Sequence, residues 1–113
     1  MKYLCLVYHE APPTAACPDL AAEVRAYDDD LRQRGHFLAA HTLDDDCAAT
    51  VIRVREGRLF VGDNACAATR SQLASYYLIE AWDLNEAIRL ASRHPSARLG
   101  RLELRPVKDA TSR

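Results

Sequence analysis

The chain has 113 residues, 49% of them apolar and 27% charged, with a net charge of -1 at pH 7. That length and balance describe one ordinary globular domain and exclude a fibrous or disordered chain. With no basic excess to displace phosphate counterions, no nucleic-acid partner is expected.

The opening run Tyr3-Leu4-Cys5-Leu6-Val7-Tyr8 is too short for a signal-peptide core or a membrane span. A cytoplasmic protein with no membrane partner is therefore expected. The four cysteines, Cys5, Cys17, Cys47 and Cys66, form no C-x-x-C pair and read as free thiols in a reducing compartment.

Residues 2–9 are predicted to form a buried strand. Pro12-Pro13 and Pro18 then force a loop. A helix from about Asp19 to Arg34 carries Leu20, Val24, Tyr27 and Leu31 as one apolar stripe. Opposite it, Asp28 with Arg32 and Asp30 with Arg34 stand at i, i+4 and are expected to form solvated ion pairs. Gly35 supplies the left-handed stop.

A strand near 36–43 precedes the acidic turn Asp44-Asp45-Asp46. Two β-branched runs, Ala49 to Glu56 and Leu59 to Val61, flank Glu56-Gly57-Arg58 and read as a hairpin. Tyr76 to Trp82 reads as the next strand, with Trp82 filling the core and with Tyr76 and Tyr77 on opposite faces. Asp83-Leu84-Asn85-Glu86 has the spacing of a capping box. The helix it opens is expected to bury Leu84, Ala87, Ile88 and Ala91 and to end at His94-Pro95. A last strand alternates Leu102 and Leu104 with Glu103 and Arg105.

Without the hairpin this order is β-α-β-β-α-β, an α+β, ferredoxin-like arrangement with both helices on one face of an antiparallel sheet. One domain over residues 1–107 and a short tail over 108–113 follow.

The hairpin Thr50 to Gly57, the turn at Asp63, Tyr76-Tyr77-Leu78-Ile79-Glu80, Asp83 to Ala87 and Glu103-Leu104-Arg105-Pro106-Val107 occur in that order. Together they resemble the YCII-related proteins, closest to their DGPF branch. The resemblance runs from about Met1 to Val107. It implies a dimeric α/β barrel, in which two ferredoxin-like subunits pack open sheet faces together as a homodimer. It also implies kinship with small ring-fission enzymes. Where the branch reads Asp-Gly-Pro-Phe, this chain has Asp63-Asn64-Ala65-Cys66 and keeps only the acid. The helical histidine that some relatives pair with an aspartate is absent between Asp19 and Arg34.

Polar residues at strand ends give a candidate site. An imidazole can exchange a proton near neutral pH, so His41 reads as a base, with Asp63 as its orienter and acid partner and Tyr8 as a phenolic donor. Arg53 or Arg105 would clamp a small anionic ligand, and Tyr76 and Asn64 would line the same cleft. The expected chemistry is lyase- or isomerase-type proton transfer on a small carboxylated or carbonyl compound. The alternative is a non-catalytic ligand-binding or regulatory module, linked through the resemblance to sigma-factor stress circuits. Asp44-Asp45-Asp46 lacks a calcium-loop ligand ladder and His36 and His41 are five apart, so no metal is expected. No glycine-rich phosphate loop or G-x-S-x-G elbow is present, so neither is a cofactor.

Overall fold

The computed structural model describes residues 1–9, 19–44, 48–63 and 72–108. Its elements are β1 (Lys2–His9), α1 (Leu20–Gln33), β2 (Phe37–Thr42), β3 (Thr50–Arg55), β4 (Arg58–Asp63), β5 (Gln72–Glu80), α2 (Leu84–Ser92), a 3-10 turn (Pro95–Arg98) and β6 (Gly100–Pro106). Four strands form one antiparallel sheet in the order β2-β5-β1-β6, and β3 and β4 form a separate two-stranded ribbon. The sheet order, the two crossover helices and the inserted ribbon make the expected ferredoxin-like α+β fold.

Alternation along β1 decides what each face does. Tyr3, Cys5 and Val7 are buried and form the core with Tyr77, Ile79, Leu31, Ala87, Leu90 and Ala91. Leu102 and Leu104 pair with Val7 and Cys5 and pack on the same side. Leu4, Leu6, Tyr8 and their partners Arg105, Glu103 and Arg101 therefore occupy the other face. No described helix covers that face, and the molecule measures only 18 Å along its shortest axis, about the depth of one sheet and one helix layer.

Helix α1 begins without a side-chain cap at Asp19 and is terminated by Gly35 at φ +81°. Its inward stripe buries Leu31 fully and Tyr27 partly, and the Tyr27 hydroxyl donates to the Leu90 carbonyl at 2.7 Å. This bond ties α1 to α2. Asp30 pairs with Arg34 as expected, at 3.1 Å, but Arg32 pairs with Asp29 at 3.4 Å. Asp28 turns inward instead. At α2, Asp83 accepts from the Glu86 amide at 2.9 Å, while the Glu86 carboxylate accepts from the Trp82 amide at 2.7 Å.

The buried stripe of α2 is Ala87, Leu90 and Ala91, and Leu84 and Ile88 are half exposed. The helix is rotated from the expected face because spacing from 87 to 90, 91 and 94 also brings His94 inward. Trp82 is 84% exposed, not core: it lies past the end of β5, where its backbone serves the helix cap. Strand β5 starts at Gln72, four residues before the expected Tyr76, because β1 and β2 both pair with that extension.

The ribbon turns through Glu56 and Gly57, at φ +53° and +78°, the two left-handed residues of a type I′ hairpin. Its pairing puts Ile52 opposite Val61 and Val54 opposite Leu59, all on one face. These four are 59–67% exposed. The other face carries Arg53 opposite Phe60 and Arg55 opposite Arg58. The ribbon is thus amphipathic, with its apolar side in solvent. It helps raise the radius of gyration to 16.3 Å, against about 13 Å for a close-packed chain of this length.

Candidate functional site

Between α1, the edge formed by β2 and β5, and the 3-10 turn lies a cavity of about 440 Å³, within the range of small-molecule sites. Leu20, Ala21, Val24 and Ala40 contribute apolar wall, and Arg25, Asp28, His9, Tyr77, His94 and Ser96 bring polar groups to it.

Hydrogen-bond chemistry fixes the direction of the inner chain. The Ser96 amide donates to His94 Nδ1 at 3.0 Å, so in the neutral ring the proton is on Nε2. Nε2–H donates to the Tyr77 hydroxyl oxygen at 3.3 Å, and the Tyr77 O–H donates to Asp28 Oδ1 at 2.5 Å. Burial, with His9 nearby, pushes His94 down to about 4, which keeps it neutral near pH 7. Burial and then the Asp28 bond push Tyr77 well above the usual phenol range. Tyr27 packs edge-on against both rings, with centroids 4.9 Å from His94 and 5.8 Å from Tyr77. The array is rigid and each proton has a defined place. Asp28 is its half-exposed end, and among the described residues its Oδ2 has no partner.

Across the cavity, His9 Nε2 lies 3.1 Å from Ser96 Oγ. Gly100 makes this approach possible. A Cβ there would stand 2.1 Å from the Tyr8 carbonyl oxygen, so only glycine lets the 3-10 turn run into β6 against the end of β1. The cavity therefore has a carboxylate on one wall and an imidazole–hydroxyl pair on another.

His41 and Tyr76 also border this cavity, and His41 Nδ1 lies 2.8 Å from the Tyr76 hydroxyl. They are cross-strand partners next to Ala40 and Tyr77. Alternation turns both side chains to the open sheet face, away from Tyr77 and His94. Asp63 belongs to the ribbon and pairs with Thr50, in a different sheet from His41. Asn64 lies outside the described residues, as do Cys17, Cys47 and Cys66. Tyr8 is on the open face beneath Arg101, whose guanidinium carbon is 4.1 Å from the ring centroid. Arg105 bonds Glu103 at 2.9 Å and Arg101 reaches the same carboxylate at 3.7 Å. Arg53 is exposed on the ribbon. Of the sequence candidates, the structure brings together His41 and Tyr76, and leaves Tyr8, Arg53 and Arg105 elsewhere.

The inner array was missed, though its signals were present. Asp28 stands four residues after Val24 and three before Leu31, on the apolar stripe. His94 stands three and four residues after Ala91 and Leu90, and His9 shares the parity of Tyr3, Cys5 and Val7. Polar residues at core spacing mark buried function more sharply than polar residues at strand ends.

Among the described residues no group of three or more His, Cys, Asp or Glu could hold a metal ion. His36 Nδ1 donates to the Glu80 carbonyl at 2.8 Å, and Asp45 and Asp46 lie outside the described residues. No described helix is long and apolar enough to cross a membrane. The family model of the YCII-related domain matches residues 1–111. No curated protein matches the chain.

Proposed function

Because this chain belongs to the YCII-related family, we propose that it is a small proton-transfer enzyme of lyase or isomerase type. It acts on a carbonyl compound held in the cavity beside α1. The observation that carries this reading is the Asp28–Tyr77–His94 array facing the His9–Ser96 pair across one recess.

Asp28 is the base. Tyr77 holds one of its oxygens and leaves the other to take a proton from carbon beside the carbonyl. The C–H electron pair moves into the new carbon–carbon double bond, and the carbonyl electrons move onto oxygen. Ser96 gives its hydroxyl proton to that oxygen, and His9 Nε2–H replaces it through the 3.1 Å contact. Returning the proton from Asp28 to a different carbon, while the enol O–H gives its proton back to Ser96 and Ser96 returns one to His9 Nε2, regenerates the carbonyl and completes an isomerisation. A site with separated base and acid suits this chemistry at neutral pH. The test is loss of hydrogen–deuterium exchange at substrate carbon in Asp28→Asn, with the fold intact by circular dichroism. Exchange equal to the parent's removes Asp28 as base.

The protein works as a homodimer of the DGPF type. Support comes from the uncovered sheet face with Leu4, Leu6 and Leu78 at its centre and from the ribbon's apolar side, two surfaces that a monomer would leave in water. On that face His41 and Tyr76 belong to the seam between subunits. Light scattering should give twice 12.6 kDa; a single-chain mass at micromolar concentration refutes the dimer. Cys5 as a buried thiol suits the reducing cytoplasm.

A regulatory module is the second reading, favoured by the ribbon's exposed Ile52, Val54, Leu59 and Val61. It wins if Ile52→Asp abolishes association with another protein while the cavity binds no small molecule.

A further inference from the structure

We infer that the cavity takes a short oxo-carboxylate and that Arg25 grips its carboxylate. The inference rests on the proton-transfer reading and adds the substrate class.

Arg25 and Asp28 stand three residues apart on α1 and both line the cavity. Three or four apart on a helix, oppositely charged side chains ordinarily pair, as Asp29 does with Arg32 and Asp30 with Arg34. Arg25 and Asp28 do not, because the Tyr77 hydroxyl has drawn the carboxylate inward. Among the described residues Arg25 has no ion-pair partner, unlike Arg32 and Arg34 on the same helix. The helix thus presents a guanidinium to the recess, while the Tyr77 hydroxyl holds the neighbouring Asp28 carboxylate turned away from it. A guanidinium matches a carboxylate through two parallel hydrogen bonds.

The spacing also sets where the anion stands relative to the reacting carbon. Side chains three apart on a helix start about 5–6 Å from each other. A ligand whose acidic C–H lies within two or three bonds of its carboxylate can bridge side chains that start this close. In a 2-oxo acid, C3 meets that condition and is acidified by the C2 ketone. The remaining wall, Leu20, Ala21, Val24 and Ala40, accepts a short alkyl chain. Among the described residues no second cation lines the cavity apart from the imidazoles, which favours a monocarboxylate over a dicarboxylate.

The probes are 2-oxopentanoate and its methyl ester, in which the carboxylate that the proposed clamp would hold is capped and uncharged. In deuterated buffer, NMR reads loss of the C3 proton signal, and ligand titration reads affinity. The expected result is exchange on the acid, with affinity falling about tenfold or more in Arg25→Gln, the effect of losing a charged hydrogen bond. In Asp28→Asn the acid still binds and exchange stops. If acid and ester bind equally, or Arg25→Gln leaves their ratio unchanged, the clamp is wrong while Asp28-dependent exchange keeps the proton-transfer reading. If Asp28→Asn exchanges like the parent, that reading falls and this inference with it. If neither probe binds, the assigned substrate class is overturned.

Discussion

Acid should loosen this fold through His94 before most other groups respond. The ring is 3% exposed and packed against Tyr27 and Tyr77, with His9 adding charge nearby when protonated. Its pKa is lowered from 6.5 to about 4, so between those values the unfolded chain binds a proton that the folded chain refuses. Stability is then complete above pH 6.5 and declines as pH falls toward 4. A depression of that size corresponds to about 3 kcal/mol at 1.36 kcal/mol per unit. For a domain with a total stability of roughly 5–15 kcal/mol this is a large share. With an unfolding entropy of about 2.1 cal/mol/K per residue, it lowers Tm by about 12 °C.

The assay is thermal unfolding at pH steps from 7.5 to 4, comparing the parent with His94→Asn. Asparagine can still accept the Ser96 amide at this cap but cannot titrate. Every other ionisable group is present in both proteins, so the difference between the curves isolates residue 94. The parent should lose about 12 °C more than the variant. Parallel curves would refute a neutral buried imidazole.

Three further outcomes follow from the same packing. Tyr77→Phe leaves His94 Nε2–H without its acceptor and Asp28 without its donor, and should cost about 1–3 kcal/mol in urea unfolding, with the m-value unchanged. Gly100→Ala drives a methyl group against the Tyr8 carbonyl and should destabilise by about 1–3 kcal/mol or more; unchanged stability would mean that β6 does not enter against β1 as described. Cys5, held at about 12 by burial, should escape iodoacetamide at pH 8 in the native protein and react after unfolding. Mass spectrometry of the peptide containing Cys5 decides this.

The architecture was legible because its signals are local and periodic. Alternation in β1, the Asp83–Glu86 box, the Gly35 stop and the Glu56-Gly57 turn each determine a piece of chain with little help from elsewhere. Trp82 and the face of α2 were misread because hydrophobicity alone assigned them to the core. The backbone needed Trp82 at a cap, and the inward turn of His94 rotated the helix. Tyr76 and Tyr77 were expected on opposite faces, without a choice between them, and Tyr77 is the one beneath the helices. Its chemistry depends on Asp28, 49 residues away in sequence, and only tertiary packing reveals which of several acids on α1 it meets. His41 meets Tyr76 and not Asp63, the partner expected for it; a strand has two sides, and the polar array occupies the other one.

Trp82 is the chain's one tryptophan, and its indole is already in water at 84% exposure. Its emission in the native protein will resemble that of the denatured chain, so intrinsic fluorescence is a poor reporter of unfolding here. The same exposure makes it a sensitive beacon for anything that settles against the start of α2. A blue shift on concentration or on mixing would reveal a contact there without any added label.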